Sequence, residues 1–469
     1  MRVLTKKMFR SILRNRSQII AVVAVVTCGT ACYICLASLH RNLELTRDTY
    51  YSQNRFADFE IQLERAPNSS LFKLQEISGV RQVRGRIVQE VKLEIKGVTE
   101  ARMGRMVSVP DTGGNFLNSI VVSRGSFFEP GSQDEVILSE QFADANELTV
   151  GDKIKVTADG KKHTLKIVGL GLSPEYVYIT RNIQELIPDP ARFGILWVTD
   201  DFAESALNME AECNSIIGSV ENVDMLDVIL DTAENQLDAY GIFAKTKREN
   251  QLSNRLLSDE IKNLGVIARV IPTVFLGIAA LVIMILLNRM VRNERTQIGL
   301  MKAYGYTNVS VGFHYLQFAL ILSLAGCFFG FIMGQWGAQA MIKMYVQFFA
   351  FPILKSRIYP QVLAQAMLIC IAFSMAGAVV AAYRAARIHP AESMRPEAPV
   401  IGHRVWLEQI TVIWQRLTFT WKMIVRNVSR HKFRSMLNAF GAMVSTLLLI
   451  IGFFAIDGMD YLIDFEYQQ

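Results

Sequence analysis

The sequence lacks the short motifs that would let this chain carry out phosphate or hydrolytic chemistry by itself. It contains no G-x-x-x-x-G-K-[ST] phosphate-binding loop, no H-E-x-x-H, no pair of C-x-x-C motifs and no G-x-S-x-G. Its six histidines are scattered, and His163 falls in a predicted strand, where we expect an exposed side chain and not a ligand. These absences predict a chain without catalytic residues, a bound cofactor or a metal site.

Cysteine is scarce outside the apolar runs. Cys213 is the only cysteine between residues 40 and 269, so no disulfide can stabilise that region from within and a packed core must do so. Cys28, Cys32 and Cys35 share one face of an apolar run, but no histidine or carboxylate accompanies them. We therefore interpret these three as small packing residues and not as a metal or redox site.

Apolar residues, in contrast, are abundant. They make up 51% of the 469 residues, too many for an ordinary soluble protein, while 20% charged residues are too many for a chain that lies wholly in lipid. A membrane protein with one large aqueous domain fits both values. The net charge of +6 is concentrated beside the apolar runs, which predicts contact with anionic lipid head groups and no nucleic-acid partner.

The apolar runs predict five membrane-spanning helices, oriented by the lysines and arginines that flank them. The first run is longer than the apolar part of a signal peptide and no small-x-small cleavage site follows it, so we interpret it as a retained span. The predicted spans are 18–39, 270–290, 313–336, 362–384 and 436–456. The predicted cytoplasmic segments are an amphipathic helix at 1–17, a coupling segment at 291–312, and a linker with a second amphipathic helix at 385–435. The predicted extracytoplasmic segments are a domain at 40–269 and a loop at 337–361.

The extracytoplasmic region is predicted to be an α+β domain. Alternating apolar residues predict strands that begin near Phe59 and Val91, with a short helix between them. Asp159 and Gly160 predict a type I′ turn between two further strands. The remaining expectations are a strand at 194–198, a β-rich inserted subdomain at roughly 115–180, and a charged, largely helical stalk at 226–268 that runs into the second span.

The cationic segment after the second span predicts a short helix on the cytoplasmic side. Ile298, Met301 and Tyr304 recur at helical spacing, and Gly305 is placed to end the helix in a left-handed cap. A short surface helix between two spans offers little to a membrane, but it suits docking onto a soluble partner. Glu294 and the arginine after it are expected at or beside that partner.

Gly326, Gly330 and Gly334 lie four residues apart in the third predicted span. Glycines on one helix face let another helix backbone approach closely, so we predict that this span packs tightly against protein. The neighbouring helix can belong to the same chain or to a second subunit, and the sequence leaves both possibilities open.

Two segments, each just after a predicted span, resemble the FtsX/MacB family of ABC transporter permeases, which is sometimes grouped with the lipoprotein-releasing permeases. Residues 292–305 resemble the family's R-x-E-R-x-x-E-I-G-x-x-x-A-x-G segment, and residues 382–395 resemble its closing A-x-x-A-x-x-x-P-A-x-x-L-R segment. The order of one span, a large domain and three spans is also similar to the family. The resemblance covers about residues 1–397.

The resemblance implies an α-helical membrane protein with a large extracytoplasmic α+β domain, in which a porter-like α/β part carries a β-rich insertion. It implies a non-enzymatic permease subunit of a bacterial inner membrane that transmits ATP-driven motion for export or release of a lipoprotein, peptide, lipid or toxic small molecule. ATP and magnesium would bind to a separate cytoplasmic ATPase; a permease dimer or paired permease repeats and a periplasmic adaptor are further expected partners. The residues implied to couple to the ATPase are Arg292, Glu294, Arg295, Ile298, Gly299, Met301, Lys302 and Gly305.

Other functions and two chain lengths stay open. The alternatives in function are a non-transporting signalling permease that regulates a cell-envelope hydrolase, and a membrane-anchored sensor without an ATPase.

Beyond residue 397, an amphipathic segment at 421–434 and the apolar run after it resemble the start of the chain at low identity. The chain is either a fragment of a longer, duplicated permease, which we favour because a lone fifth span has no obvious role, or one that ends with five spans.

Overall fold

The computed structural model describes residues 2–97, 100, 102–114, 116–182, 188–352, 357–393, 414–415, 418–430 and 432–467. The chain divides into a helical unit, residues 1–34, 269–335 and 359–469, and an α+β unit, residues 35–268 and 336–358. Within the described part of the chain, four helices are long and apolar enough to cross a membrane. The predicted fold class, an α-helical membrane protein with a large α+β domain, is confirmed.

The helices and strands are named here in chain order. The helices are α1 (Arg2–Arg14), α2 (Arg16–Gln53), α3 (Ser70–Gln75), α4 (Glu140–Ala145), α5 (Asp200–Leu207), α6 (Leu226–Leu237), α7 (Leu252–Asn293), α8 (Arg295–Ala303), α9 (Asn308–Phe348), α10 (Pro360–Ala386), α11 (Pro390–Ser393), α12 (Phe419–Arg430) and α13 (Lys432–Tyr467). The strands are β1 (Phe59–Pro67), β2 (Val80–Arg86), β3 (Val88–Glu94), β4 (Arg102–Val109), β5 (Val121–Gly125), β6 (Glu135–Ser139), β7 (Lys153–Ala158), β8 (Lys161–Leu172), β9 (Phe193–Thr199), β10 (Glu212–Val220) and β11 (Ile242–Lys247).

The core of the helical unit is formed by apolar side chains of α2, α7, α9 and α10. Val26 of α2, Ile283 of α7 and Phe318 of α9 are among its fully buried members, and Met8 brings the apolar face of α1 into the same cluster. Lipid is as apolar as these side chains, so close packing and not exclusion from water holds such helices together. The predicted fifth span lies in α13, whose side chains are described only in part, and it stays a prediction.

The membrane-spanning helices extend beyond the predicted spans. The helix of the first predicted span, α2, continues past residue 39 to Gln53. The helix of the third predicted span, α9, runs to Phe348. The predicted loop at 337–361 is therefore wrong up to residue 348, because Ile342 and Tyr345 bury one helical face there in the α+β unit. Pro360 opens α10 at its first turn, where a missing N–H costs no hydrogen bond.

The α+β unit contains a four-stranded antiparallel sheet in the order β11-β1-β10-β2, with α3 and α6 packed against it. The chain order β1-α3-β2-β10-α6-β11 is that of the split β-α-β arrangement. Leu74 of α3 and Ile229 of α6 are buried with Ile61 and Ile216 of the sheet. This subdomain is the α/β part that the sequence predicts.

A seven-stranded mixed sheet is inserted between β2 and β10, in the order β5-β8-β6-β9-β4-β3-β7. The insertion extends from residue 88 to at least residue 199, so the predicted limits of 115–180 are wrong: β3, β4 and β9 belong to it as well. The parallel pairing of β4 with β9 places Met103 opposite Phe193. A local pattern predicts that such segments are strands, but it carries no information on which sheet they join.

Two local predictions in this unit have different outcomes. The turn between β7 and β8 has φ of 46° at Asp159 and 73° at Gly160, which confirms the predicted hairpin. The helical stalk predicted at 226–268 is wrong between α6 and α7, because β11 lies there and pairs with β1. Lys245 and Lys247 of β11 pair with carboxylates of α6.

A buried ion pair ties the inserted sheet to the four-stranded sheet. Arg86, at the end of β2, donates two hydrogen bonds of 2.6 Å to Glu175, in the turn after β8, and one of 2.9 Å to Glu60 of β1. Asn118 donates a further bond of 2.8 Å to Glu175. Burial alone would raise the pKa of Glu175, but Arg86 and Asn118 hold it below its ordinary value. The two sheets therefore share a charged, fully bonded junction.

Candidate coupling site

The helix α8 is a separate, capped element between α7 and α9. The backbone leaves helical geometry at Glu294, where φ is −101° and ψ is 12°. At the other end the amide of Gly305 donates to the carbonyl of Lys302 at 3.0 Å, and that of Tyr306 donates to Met301 at 3.2 Å. With φ of 90° at Gly305, this is a Schellman cap, and the predicted left-handed end of the helix is confirmed.

The inner face of α8 rests on the connection between α10 and α11. Ile298 is fully buried, and a Cβ added at Gly299 would lie 1.6 Å from Oγ of Ser393. The ammonium of Lys302 donates to the carbonyls of Ala386 and Ile388, each at 2.8 Å. Burial lowers the pKa of Lys302. Four of the residues implied by the resemblance, at 298, 299, 301 and 302, thus hold α8 in place from within.

Glu294 is buried within this chain, so its side chain does not reach an outer surface; that it lies at or beside a partner stays a prediction. Its side chain is 3% exposed, and Oε2 forms an ion pair of 3.0 Å with Lys7 of α1. Oε1 accepts a hydrogen bond of 3.1 Å from Ser11 and one of 3.3 Å from Arg14. A buried carboxylate is stable only with such partners, and the cations of α1 supply them. Sequence spacing gave no signal for this contact, because it joins residues about 280 positions apart.

Three apolar side chains are exposed on α8, at its C-terminal cap and at the start of α9. Leu300 is 45% exposed, while Tyr304 and Val309 are both 79% exposed. Tyr304 is among the helical apolar positions predicted from the sequence, whereas Leu300 and Val309 are not. The available signal was the spacing of Leu300 and Tyr304, which places both on one helix face. Arg292 is exposed and Arg295 half-buried at the start of the helix.

The three glycines of α9 face α2 of the same chain, so the open question about their neighbour has an answer within this chain. A Cβ at Gly326, Gly330 or Gly334 would lie within 2.8 Å of side-chain atoms of α2. The hydroxyl of Thr27 also donates to the carbonyl of Gly326 at 3.3 Å. The absence of side chains at these positions is what lets the two backbones approach.

Comparisons with known proteins agree with this architecture. Residues 269–390, which contain α8, match the FtsX-like permease C-terminal family. An ABC transporter permease of Mycoplasma genitalium is 22% identical over 233 residues, which cover 45% of this chain and 17% of that protein. The chain therefore aligns with less than one fifth of the length of this curated relative.

Two solved structures are similar to the α+β part of the chain. The extracellular domain of the noncanonic ABC-type transporter YknZ from Gram-positive bacteria is 12% identical, with a TM-score of 0.28, over 41% of this chain and 98% of that domain. The periplasmic region of MacB from Actinobacillus actinomycetemcomitans is 9% identical, with a TM-score of 0.29, over 46% of this chain and 98% of that region.

The family match and the Mycoplasma genitalium relative support the resemblance to ABC transporter permeases. The resemblance to the FtsX/MacB type is confirmed, and its FtsX-like permease C-terminal domain comprises residues 269–390.

Proposed function

We propose that this chain is the membrane subunit of an ABC transporter and passes ATP-driven motion of a separate ATPase to its own α+β unit. The observation that carries the proposal is a set of exposed apolar side chains on and just after α8, a helix that is capped and held from within. Leu300 lies in α8, Tyr304 at its C-terminal cap and Val309 at the start of α9. We call these three residues the docking surface. Apolar side chains that protrude from a rigid element suit burial in the groove of a partner protein.

The position of α8 in the chain supports a role in transmission. It begins where α7 ends, and α7 is one helix from Leu252 to Asn293. A force on α8 acts on Glu294 at this junction, and through Glu294 on Lys7 of α1. Such coupling requires two states of the permease to which the nucleotide-bound ATPase binds with different affinity.

Orientation and cargo follow as parts of the same proposal. The docking surface and the N-terminus would lie in the cytoplasm of a bacterial cell and the α+β unit outside it, with ATP and magnesium on the partner. A lipoprotein, peptide, lipid or toxic small molecule would be exported or released, by a permease dimer or paired repeats, with a periplasmic adaptor as a further partner. The charge of the flanking residues supports this orientation.

The test is a substitution on the docking surface. Val309→Asp would place an unpaired charge in the interface and should weaken retention of the co-purifying ATPase at least tenfold, because a buried charge without a partner costs several kcal/mol. Val228→Asp is the matched control: Val228 is 64% exposed, like Val309, but lies in α6 of the α+β unit. The measurement is the amount of ATPase that co-purifies with the tagged full chain from membranes.

The expected result is loss of the ATPase with Val309→Asp and retention with Val228→Asp. Equal retention in both variants, with insertion into the membrane unchanged, would contradict a docking role for this surface. Tyr304→Ala removes a large exposed ring without adding charge, and it should weaken retention in the same direction.

A further inference from the structure

A basic pocket opens beside α8 in the helical unit. It has a volume of about 430 Å³ and lies between the end of α7, the start of α8 and the end of α10. Four arginines line it, Arg292, Arg295, Arg384 and Arg387, together with Tyr383. We call this the arginine pocket. Its volume is in the range of pockets that hold small ligands.

The electrostatics of the arginine pocket favour an anion. No carboxylate is among the described residues that line it, whereas four of them are arginines. Asn288 accepts a hydrogen bond of 3.2 Å from Arg384, and the guanidinium of Arg387 lies 4.7 Å from the centre of the Tyr383 ring. These contacts orient two of the arginines. Glu294, the nearest carboxylate along the chain, pairs with Lys7 and Arg14 instead.

We propose that the arginine pocket binds the phosphate group of an anionic membrane lipid. Guanidinium groups are planar forks with several N–H donors, and they match the oxygens of a phosphate in pairs. A single phosphodiester offers enough acceptors for two such forks. The inference goes beyond the proposed function, because it requires neither an ATPase nor a cargo.

The level of the pocket along the helices favours a lipid over an acidic protein surface. Asn288 follows directly on the apolar run of α7, and Tyr383 stands at the end of the apolar run of α10, so the pocket lies where two predicted spans end. Tyr383 is 56% exposed, as is typical of aromatic residues at head-group level. Val379 and Val380, 54% and 38% exposed, lie one turn farther into the span on α10, where acyl chains would run.

The experiment measures binding of phosphatidylglycerol to the full chain in phosphatidylcholine nanodiscs, counted by native mass spectrometry. The variant Arg292→Gln/Arg387→Gln removes two charges from the pocket and should lower the apparent affinity for phosphatidylglycerol at least tenfold. The control Arg10→Gln/Arg289→Gln removes two charges from exposed positions of α1 and α7 outside the pocket. It should change the affinity less than about threefold, as diffuse attraction does. If the glutamine pair does not fold, Arg292→Lys/Arg387→Lys replaces it, with a loss of at least threefold expected because lysine lacks the fork.

Three results would overturn the proposal. The first is an equal loss in the pocket variant and the control, which would mean diffuse charge attraction only. The second is displacement of phosphatidylglycerol by glycerol phosphate at equal concentration, which would mean that the pocket takes a free phosphate and not a lipid. The third is unchanged lipid binding together with loss of the co-purifying ATPase, which would make the pocket part of the protein interface.

Discussion

At the scale of single residues, Glu294 has the largest consequence for the helical unit. It is a buried carboxylate that joins three helices at the point where α7 gives way to α8, and its partners Lys7 and Arg14 come from α1. The basic residues of α1 predict only contact with lipid, but their pairing with Glu294 anchors this helix to the rest of the protein. This contact gives the N-terminal helix a structural role at the α7–α8 junction.

We expect Glu294→Gln to loosen α1. The change leaves Lys7 without its counter-charge, and because the side chains of Lys7 and Arg14 are 21% and 62% exposed, solvent reduces the loss to about 1–3 kcal/mol. Hydrogen exchange of the α1 amides should become faster accordingly. The double variant Glu294→Gln/Lys7→Met removes both partners and should restore part of the protection. Unchanged exchange in the single variant would contradict the anchoring role.

Glu175 makes the stability of the α+β unit dependent on pH. Its pKa in the folded protein is lowered from 4.5, so its ionised form stabilises the fold above the unfolded pKa, and that stabilisation is lost as the pH falls through the folded value. We expect urea unfolding to show a steep loss of stability below about pH 4.5. Glu175→Gln should cost about 3–5 kcal/mol at neutral pH, because Arg86 is left buried, and should flatten the acid slope. An equally steep slope in that variant would assign the acid sensitivity to other carboxylates.

At the scale of elements, the contact between α8 and α11 is set by one missing side chain. Gly299→Ala would bring a Cβ to 1.6 Å from Oγ of Ser393 and 2.7 Å from its Cβ, so the two helices must separate. Overpacking of this kind typically costs about 1–3 kcal/mol. We expect the variant to lower the thermal stability of the solubilised chain and ATP turnover of the complex. The double variant Gly299→Ala/Ser393→Gly removes the clash and should recover both thermal stability and ATP turnover. If the double variant is as impaired as Gly299→Ala alone, this contact is not the cause of the loss.

The elements also show how far the sequence predicts the structure. The cap of α8 and the β7–β8 hairpin were predictable, because Gly305 and the Asp159-Gly160 pair act through their own backbone angles. The limits of the insertion were not, because Met103 and Phe193 meet across 90 positions of sequence. The burial of Glu294 was missed for the same reason. A charged side chain such as Glu294 is predicted to lie at the surface. Its burial follows from the ion pair with Lys7, which is distant in the sequence.

At the scale of the whole molecule, the proposed transmission of motion would pass through parts that differ in chemistry. The docking surface is apolar, the α7–α8 junction is ionic, and the sheets of the α+β unit are joined by the Arg86–Glu175 pair. An element that transmits motion must move without losing its internal packing, and bonded junctions between packed elements meet that need. In the proposed function, residues 269–390 would supply both the contact for the ATPase and the helix that leads away from it.

The central claim, that ATP-driven motion reaches the α+β unit through α8, is tested most directly by energy transfer between two fluorophores. They are attached at Val228→Cys in α6 and Arg289→Cys in α7, both exposed positions, in the full chain reconstituted with its ATPase. Trapping the ATPase with bound nucleotide should shift the transfer efficiency, and Val309→Asp in the same chain should abolish the shift. Identical efficiency with and without nucleotide, while the bound ATPase turns over normally, would contradict the claim.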